Sequence, residues 1–321
     1  MNSLLNEILR INIKELYDDK YKKLISLKIG NQKTFEFIEQ FYKLNLADEQ
    51  KIIVKDGETF STGKHNLKFI MAPMIHWPEV MMTYEESEKV IFTADAFGKF
   101  GIVGTKEEWL DEARRYYINI VGKYGMQVQI LLKKLQNYDI KVICPLHGEI
   151  LKENLGYYIE KYDIWSSYKA EEDDDGVLIV YATIHGNTEK AALKMKKILE
   201  DTSVKTIKVI DLAHADMSET ISQAFKYGKI ILAASSYNMG VFPCMETLLR
   251  QLVAKNFQNK DIGIIENGTW APSAGKTMKE ILAQGKDLRI IEPMITIKSA
   301  MSEANIEEMK KLAEDMMRWR L

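Results

Sequence analysis

Residues Val177–Ala192, VLIVYATIHGNTEKAA, decide how this chain folds. Val177–Tyr181 has the length and β-branched content of a buried strand, and the residues from Thr188 onward have helical composition. Only a short polar loop lies between them. A strand that turns at once into a helix leaves the first N–H groups of that helix without partners, and the Thr183 and Thr188 hydroxyls can join them around one small anion. The loop has neither the Lys of a Walker A sequence nor the spaced glycines of a dinucleotide fingerprint, so the expected anion is a monophosphate.

The same alternation continues to the end of the chain. Strands are expected at Val177–Tyr181, Thr206–Leu212, Lys229–Ala233, Asp261–Ile265 and Leu288–Thr296. Helices are expected near Thr188–Leu199, Ser218–Phe225, Met245–Lys255, Gly275–Ala283 and Asn305–Trp319. Five such units make one doubly wound α/β domain with a five-stranded parallel sheet. Two more polar loops, Ala234–Pro243 and Glu266–Ala271, follow the third and fourth strands, where an open parallel sheet gathers ligands.

The acidic run Glu171–Gly176 reads as a solvated linker, dividing the chain into residues 1–168, a linker 169–176 and a second domain 177–321. Before it, strand-like pieces at Lys51–Lys55, Asn66–Ala72, Val80–Glu85 and Lys89–Phe97 crowd together. A helical stretch, Lys106–Gln136, follows with a break near Gly125, then a strand at Lys141–Cys144 and a helix at Leu155–Trp165. The net charge of −2 argues against a nucleic-acid or membrane-surface partner. Charged residues through the first twenty positions exclude a secretory signal, and no apolar run is long enough to cross a bilayer. Cys144 and Cys244 stand far apart and predict no disulfide, so a cytoplasmic location is expected.

In the first domain His76, Asp95 and His147 each sit beside turn residues at a strand end. Taken singly, such residues are more often structural. Together, imidazole and carboxylate at converging loops are the donors of an iron or zinc site. The methionine-rich pieces, including Met81, Met82, Met309 and Met316, read as core packing.

Two resemblances attach to these motifs. The loops around Thr183–Thr188, Ser235–Gly240 and Asn267–Trp270 resemble those of flavodoxins, which hold FMN. That resemblance implies FMN contacts for Thr183, Ile184, His185, Gly186, Asn187 and Thr188, for Ser235, Ser236, Tyr237, Asn238 and Gly240, and for Asn267, Gly268, Thr269 and Trp270. Tyr237 and Trp270 are expected to border the isoalloxazine ring. His185 stands where relatives usually have a neutral residue; it is expected to face solvent, and beside a flavin its protonation would raise the midpoint potential as pH falls.

His76-Trp77-Pro78, Asp95-Ala96-Phe97-Gly98 and His147-Gly148, ahead of a flavodoxin-like domain, resemble the flavodiiron proteins. The resemblance implies an incomplete metallo-β-lactamase-like αβ/βα domain followed by the flavodoxin-like domain. It implies two non-haem irons, His76 on one, His147 on the other and Asp95 bridging. The family's earlier His-x-Glu-x-Asp-His motif would fall upstream of Met1, so the reading is of a chain lacking the N-terminal part of the diiron domain, as a fragment or as a natural truncation. His65 lies in a hairpin turn whose spacing does not fit that motif.

The implied activity is an oxidoreductase: FMN passes electrons from a rubredoxin-like donor to the diiron site, which reduces O₂ to water or NO to N₂O. A head-to-tail homodimer or tetramer is implied as well. The alternative is a flavodoxin-like electron carrier whose first domain is metal-free. A single-zinc hydrolase at His76, Asp95 and His147 is a third reading, and it leaves the three FMN loops without a use.

Overall fold

A computed structural model describes residues 28–102, 109–202 and 204–318, the side chains of 172–175 excepted. Its chain order begins β1 (Lys28–Gly30), α1 (Gln32–Tyr42), β2 (Lys51–Ile53), β3 (Thr59–Ser61), β4 (Asn66–Met71), β5 (Met81–Glu85) and β6 (Val90–Phe92). Next come α2 (Trp109–Tyr116), α3 (Gly125–Leu135), β7 (Val142–Cys144) and α4 (Leu155–Ser166). The second half runs β8 (Glu172–Ala182), α5 (Asn187–Glu200), β9 (Thr206–Asp211), α6 (Met217–Lys226), β10 (Tyr227–Tyr237), β11 (Gly240–Val241), α7 (Pro243–Ala254), β12 (Gln258–Asn267), α8 (Ala274–Leu282), β13 (Lys286–Ile297) and α9 (Glu303–Arg318).

The chain divides into two compact units, Met1–Thr105 with Gln127–Ile159, and Lys106–Met126 with Glu160–Leu321. In the first, one sheet has the order β3-β4-β5-β6-β7, antiparallel up to β6 and parallel between β6 and β7. Two successive antiparallel pairings make β4 run the same way as β6 and β7. The carboxyl ends of these three strands therefore share one sheet edge, as the pairs Met71↔Met81, Thr83↔Phe92 and Phe92↔Cys144 record. Phe69, Ile70, Met82, Ile91 and Ile143 are almost fully buried in this unit. The expected strand Lys89–Phe97 is shorter than its apolar content promised. It stops at Phe92, and Ala94 (φ 51°) and Phe97 (φ 65°) turn the backbone away.

In the second unit the parallel strands have the order β13-β12-β10-β8-β9, with the two-residue β11 paired antiparallel to the end of β10. This is the doubly wound five-stranded parallel sheet expected from the alternation. Val177, Ile179, Ile231, Ile265 and Ile295 from the sheet pack with Ala191 and Met195 of α5 and with Met309, Leu312 and Met316 of α9, all at 0 % exposure. At about 25 cal/mol per Å² of apolar surface removed from water, this is the main source of stability in the unit.

One expectation is corrected here. The acidic run is not a solvated loop: β8 begins within it, at Glu172, and pairs with Tyr227. The Glu171 side chain is 6 % exposed, its carboxylate bonded by Arg114 Nε at 2.6 Å and by the Trp165 indole N–H at 2.5 Å. The break expected near Gly125 in the long helical stretch is present. After α2 the stretch widens into an i→i+5 turn, Tyr117–Val121, tightens at Gly122–Tyr124, and resumes as α3. Gly125 marks the break for a steric reason, since a Cβ there would lie 2.4 Å from the Ser166 carbonyl oxygen. The first residues of the predicted Lys106–Gln136 helix, and Trp319, fall outside the described residues.

Candidate functional site

The shared edge of β4, β6 and β7 carries the three donors. His76 lies in the loop after β4, Asp95 three residues after β6, and His147 three after β7. Backbone bonds stitch the last two loops together, with Leu146 N donating to Ala94 O at 2.8 Å and Lys99 N to His147 O at 3.2 Å. Asp95 stands between the imidazoles. Its Oδ2 is 3.5 Å from His76 Nε2 and its Oδ1 is 3.5 Å from His147 Nε2.

An N···O spacing of that size suits two donors each about 2.1 Å from a shared cation at a near-tetrahedral angle. Because each imidazole faces a different carboxylate oxygen, the arrangement frames two cation positions, each with one nitrogen and one oxygen. Among the described residues no group of three or more His, Cys, Asp or Glu able to hold one metal ion occurs. These residues fit the shared edge of a two-metal centre in disposition. In number they supply two donors per metal, short of the roughly four to six such metals take.

Gly98 explains how the loops approach so closely. A Cβ there would meet the His147 carbonyl oxygen at 2.9 Å and the Asp95 carbonyl oxygen at 3.1 Å. Gly98→Ala is therefore expected to force the Asp95 and His147 loops apart and to cost about 1–3 kcal/mol of stability. Thermal unfolding of the variant beside wild type checks this, and an unchanged midpoint would show that the loops yield freely.

The second cluster lies at the carboxyl edge of the parallel sheet, where the loops after β8, β10, β12 and β13 enclose a cavity of about 470 Å³. That is within the range of small-molecule sites, about 300–1,000 Å³. Of the residues expected from sequence, Thr183, Ile184, His185, Asn187, Thr188, Ser235, Ser236, Tyr237, Asn238, Asn267, Gly268, Thr269 and Trp270 line it. Gly186 and Gly240 stand behind the wall, Gly186 as the left-handed cap of α5 (φ 80°) and Gly240 in β11. Met239 and Ala271, within the expected loops, also line the cavity, as do Ser273 and Ser299, which were not anticipated. Ser299 follows the fifth strand at the same edge, so extending the carboxyl-edge rule to β13 would have found it.

The wall is tied together by small polar side chains. Gly186 N donates to Thr183 Oγ1 at 3.0 Å, closing the first loop, and α5 starts without a side-chain cap, which leaves its N-terminal dipole facing the cavity. Thr188 Oγ1 and Ser235 Oγ are 2.9 Å apart, joining the first loop to the second. Ser236 Oγ accepts from Ser273 N at 2.9 Å, and Ser299 N donates to Asn267 Oδ1 at 3.1 Å. Asn238 (φ 46°) and Met239 (φ 62°) form the two-residue turn between β10 and β11 that swings Tyr237 to the cavity mouth. Tyr237 and Trp270 remain 45 % and 89 % exposed, so neither serves as core packing. A slot with apolar flanks, a hydroxyl-rich floor and a helix N-terminus at one end suits a planar ring carried on a polyol phosphate.

Comparison with known proteins agrees with both halves. Residues 17–148 match the ODP family beta-lactamase model and residues 179–311 match the flavodoxin model. A nitric oxide reductase of Moorella thermoacetica is 29 % identical over 83 % of this chain and 67 % of its own length. A rubredoxin-oxygen oxidoreductase of Megalodesulfovibrio gigas is 26 % identical over 83 % of this chain and 68 % of its own. The flavodiiron protein of Giardia intestinalis superposes with a TM-score of 0.84 at 22 % identity, over 95 % of this chain and 76 % of that one, and so shares the fold. The molecule thus pairs a β-lactamase-like domain with a flavodoxin domain. It shares the two-domain fold of the flavodiiron proteins.

Proposed function

We propose that this chain reduces O₂ to water or NO to N₂O, taking electrons from a rubredoxin-type protein through FMN. The observation that carries the reading is the placement of Asp95, one carboxylate oxygen toward each imidazole. A single-metal hydrolase needs all its donors around one point, and this carboxylate divides them between two. When bound, FMN supplies a carrier that exchanges electrons singly, and a pair of irons supplies open positions for the gas.

The residues of the chain have narrower tasks. Thr183, Thr188 and the start of α5 would bind the phosphate, the Ser235–Tyr237 and Asn267–Trp270 segments would orient the ring, and Asp95 with His76 and His147 would hold the metals. Among the described residues no helix is long and apolar enough to cross a membrane, and we place the protein in the cytoplasm as a homodimer or tetramer.

The test is iron and FMN per chain on anaerobically purified protein, with O₂ and NO consumption in the presence of reduced rubredoxin. The expected result is FMN and iron together, with gas consumption well above that of free flavin. FMN without iron, and consumption no faster than free flavin, would replace this reading with that of a flavodoxin-like electron carrier whose first domain is metal-free.

A further inference from the structure

We propose that His185 is a pH-dependent anchor for the phosphate of the flavin nucleotide, so that FMN binds more tightly as pH falls through the imidazole range; the proposal rests on the FMN reading of the cavity. Among the described residues that line the cavity, His185 is the one with a basic side chain, and none is Lys, Arg, Asp or Glu. It occupies the loop between β8 and α5, two residues before the first residue of the helix, beside the Thr183 and Thr188 hydroxyls. Every other donor on that part of the wall is a neutral hydroxyl, amide or backbone N–H. A phosphate monoester carries about −1.5 to −2 charges near neutral pH. Protonated, the His185 imidazole would therefore be the one cationic partner on this wall.

The neighbouring charged groups are few. Glu189 and Lys190 follow in the first turn of α5, and at the end of the adjacent strand β9 Asp211 is paired with His214 at 2.8 Å. Across the cavity the other titratable side chain on the wall is the Tyr237 phenol. A bound anion favours the protonated imidazole, so binding takes up a proton and the contribution of His185 to affinity rises as pH falls. Protonation of the phosphate itself, with a second pKa of about 6, works in the opposite direction and is common to every variant.

The experiment is titration of the apoprotein with FMN and with riboflavin, followed by flavin fluorescence between about pH 5.5 and 8.5. Wild type, His185→Gln and His185→Lys are compared. Wild type is expected to bind FMN about two- to fivefold more tightly than His185→Gln at the low end and equally at the high end, the size of an exposed ion pair. His185→Lys should keep the advantage throughout, and riboflavin affinity should be indifferent to both substitutions. A wild-type to Gln ratio for FMN that does not change with pH overturns the proposal while leaving the FMN site standing. Equal affinity of wild type for FMN and riboflavin overturns the phosphate cradle and the proposal together.

Discussion

Glu171→Ala should cost the second unit about 3–5 kcal/mol, the penalty for stranding a buried charge. Arg114 is buried, its side chain only 1 % exposed, and its Nη1 already lacks a hydrogen-bond partner. Its remaining links are to Glu171 and to the half-exposed Asp111, 2.9 Å from Nη2. Removing Glu171 also strands the Trp165 indole N–H. Replacing both partners, Arg114→Leu with Glu171→Met, should recover much of the loss, because the buried charge leaves with its mate.

The pH dependence has a definite sign. Burial alone would push the Glu171 carboxyl up, but the Arg114 guanidinium, the Trp165 indole and Lys161 outweigh it and hold the carboxyl below the usual glutamate range. The stabilisation is therefore complete above the unfolded value, about 4.3, and is lost as pH falls through the lower folded one. Urea denaturation of wild type and Glu171→Gln between about pH 3 and 7 should show the gap narrowing with acid. An alanine variant within about 1 kcal/mol of wild type at neutral pH would mean that the pair contributes nothing beyond its packing.

The other large effect belongs to the flavin cradle. Thr188→Val is expected to weaken FMN binding by about ten- to a hundredfold, the worth of a hydrogen bond to a charged group. Thr188 is 1 % exposed, so valine preserves its shape, while Ser235 loses the hydroxyl 2.9 Å away that fixes its own. Riboflavin, which has no phosphate, should bind wild type and variant alike. An FMN dissociation constant within about threefold of wild type would remove Thr188 from the cradle.

Much of this was legible in the residue order. Val177–Tyr181, Ile230–Ala233 and Ile262–Ile265 are apolar runs of strand length, and the loops that follow them form the cavity wall. The grouping of His76, Asp95 and His147 needed the sheet, because β4, β6 and β7 run the same way only after two antiparallel reversals. What stayed hidden depends on distant partners. Nothing local in Glu171 announces that Arg114, fifty-seven residues earlier, neutralises it. The short β1 and β3 and the helix α1 went unread, since strands of three residues carry no periodicity and Phe35 is the one buried residue on α1.

The segment Trp109–Tyr124 has a consequence for synthesis. It precedes α3 and β7 in the chain, yet its contacts lie later: Trp165 stacks on Trp109, Ser218 bonds Arg115, and Lys255 and Asn256 reach the carbonyls of Asn119 and Lys123. On the ribosome this segment emerges dozens of residues before anything can cover it, and Lys255 follows Asn119 by 136 positions. A gene cut at the acidic run would leave much of that wait permanent, with the Arg114 charge exported on a half-protein that contains neither Glu171 nor Ser218. Anyone expressing the flavin half alone should carry residues 109–126 along with it, on a linker or as a separate strand of chain supplied during refolding.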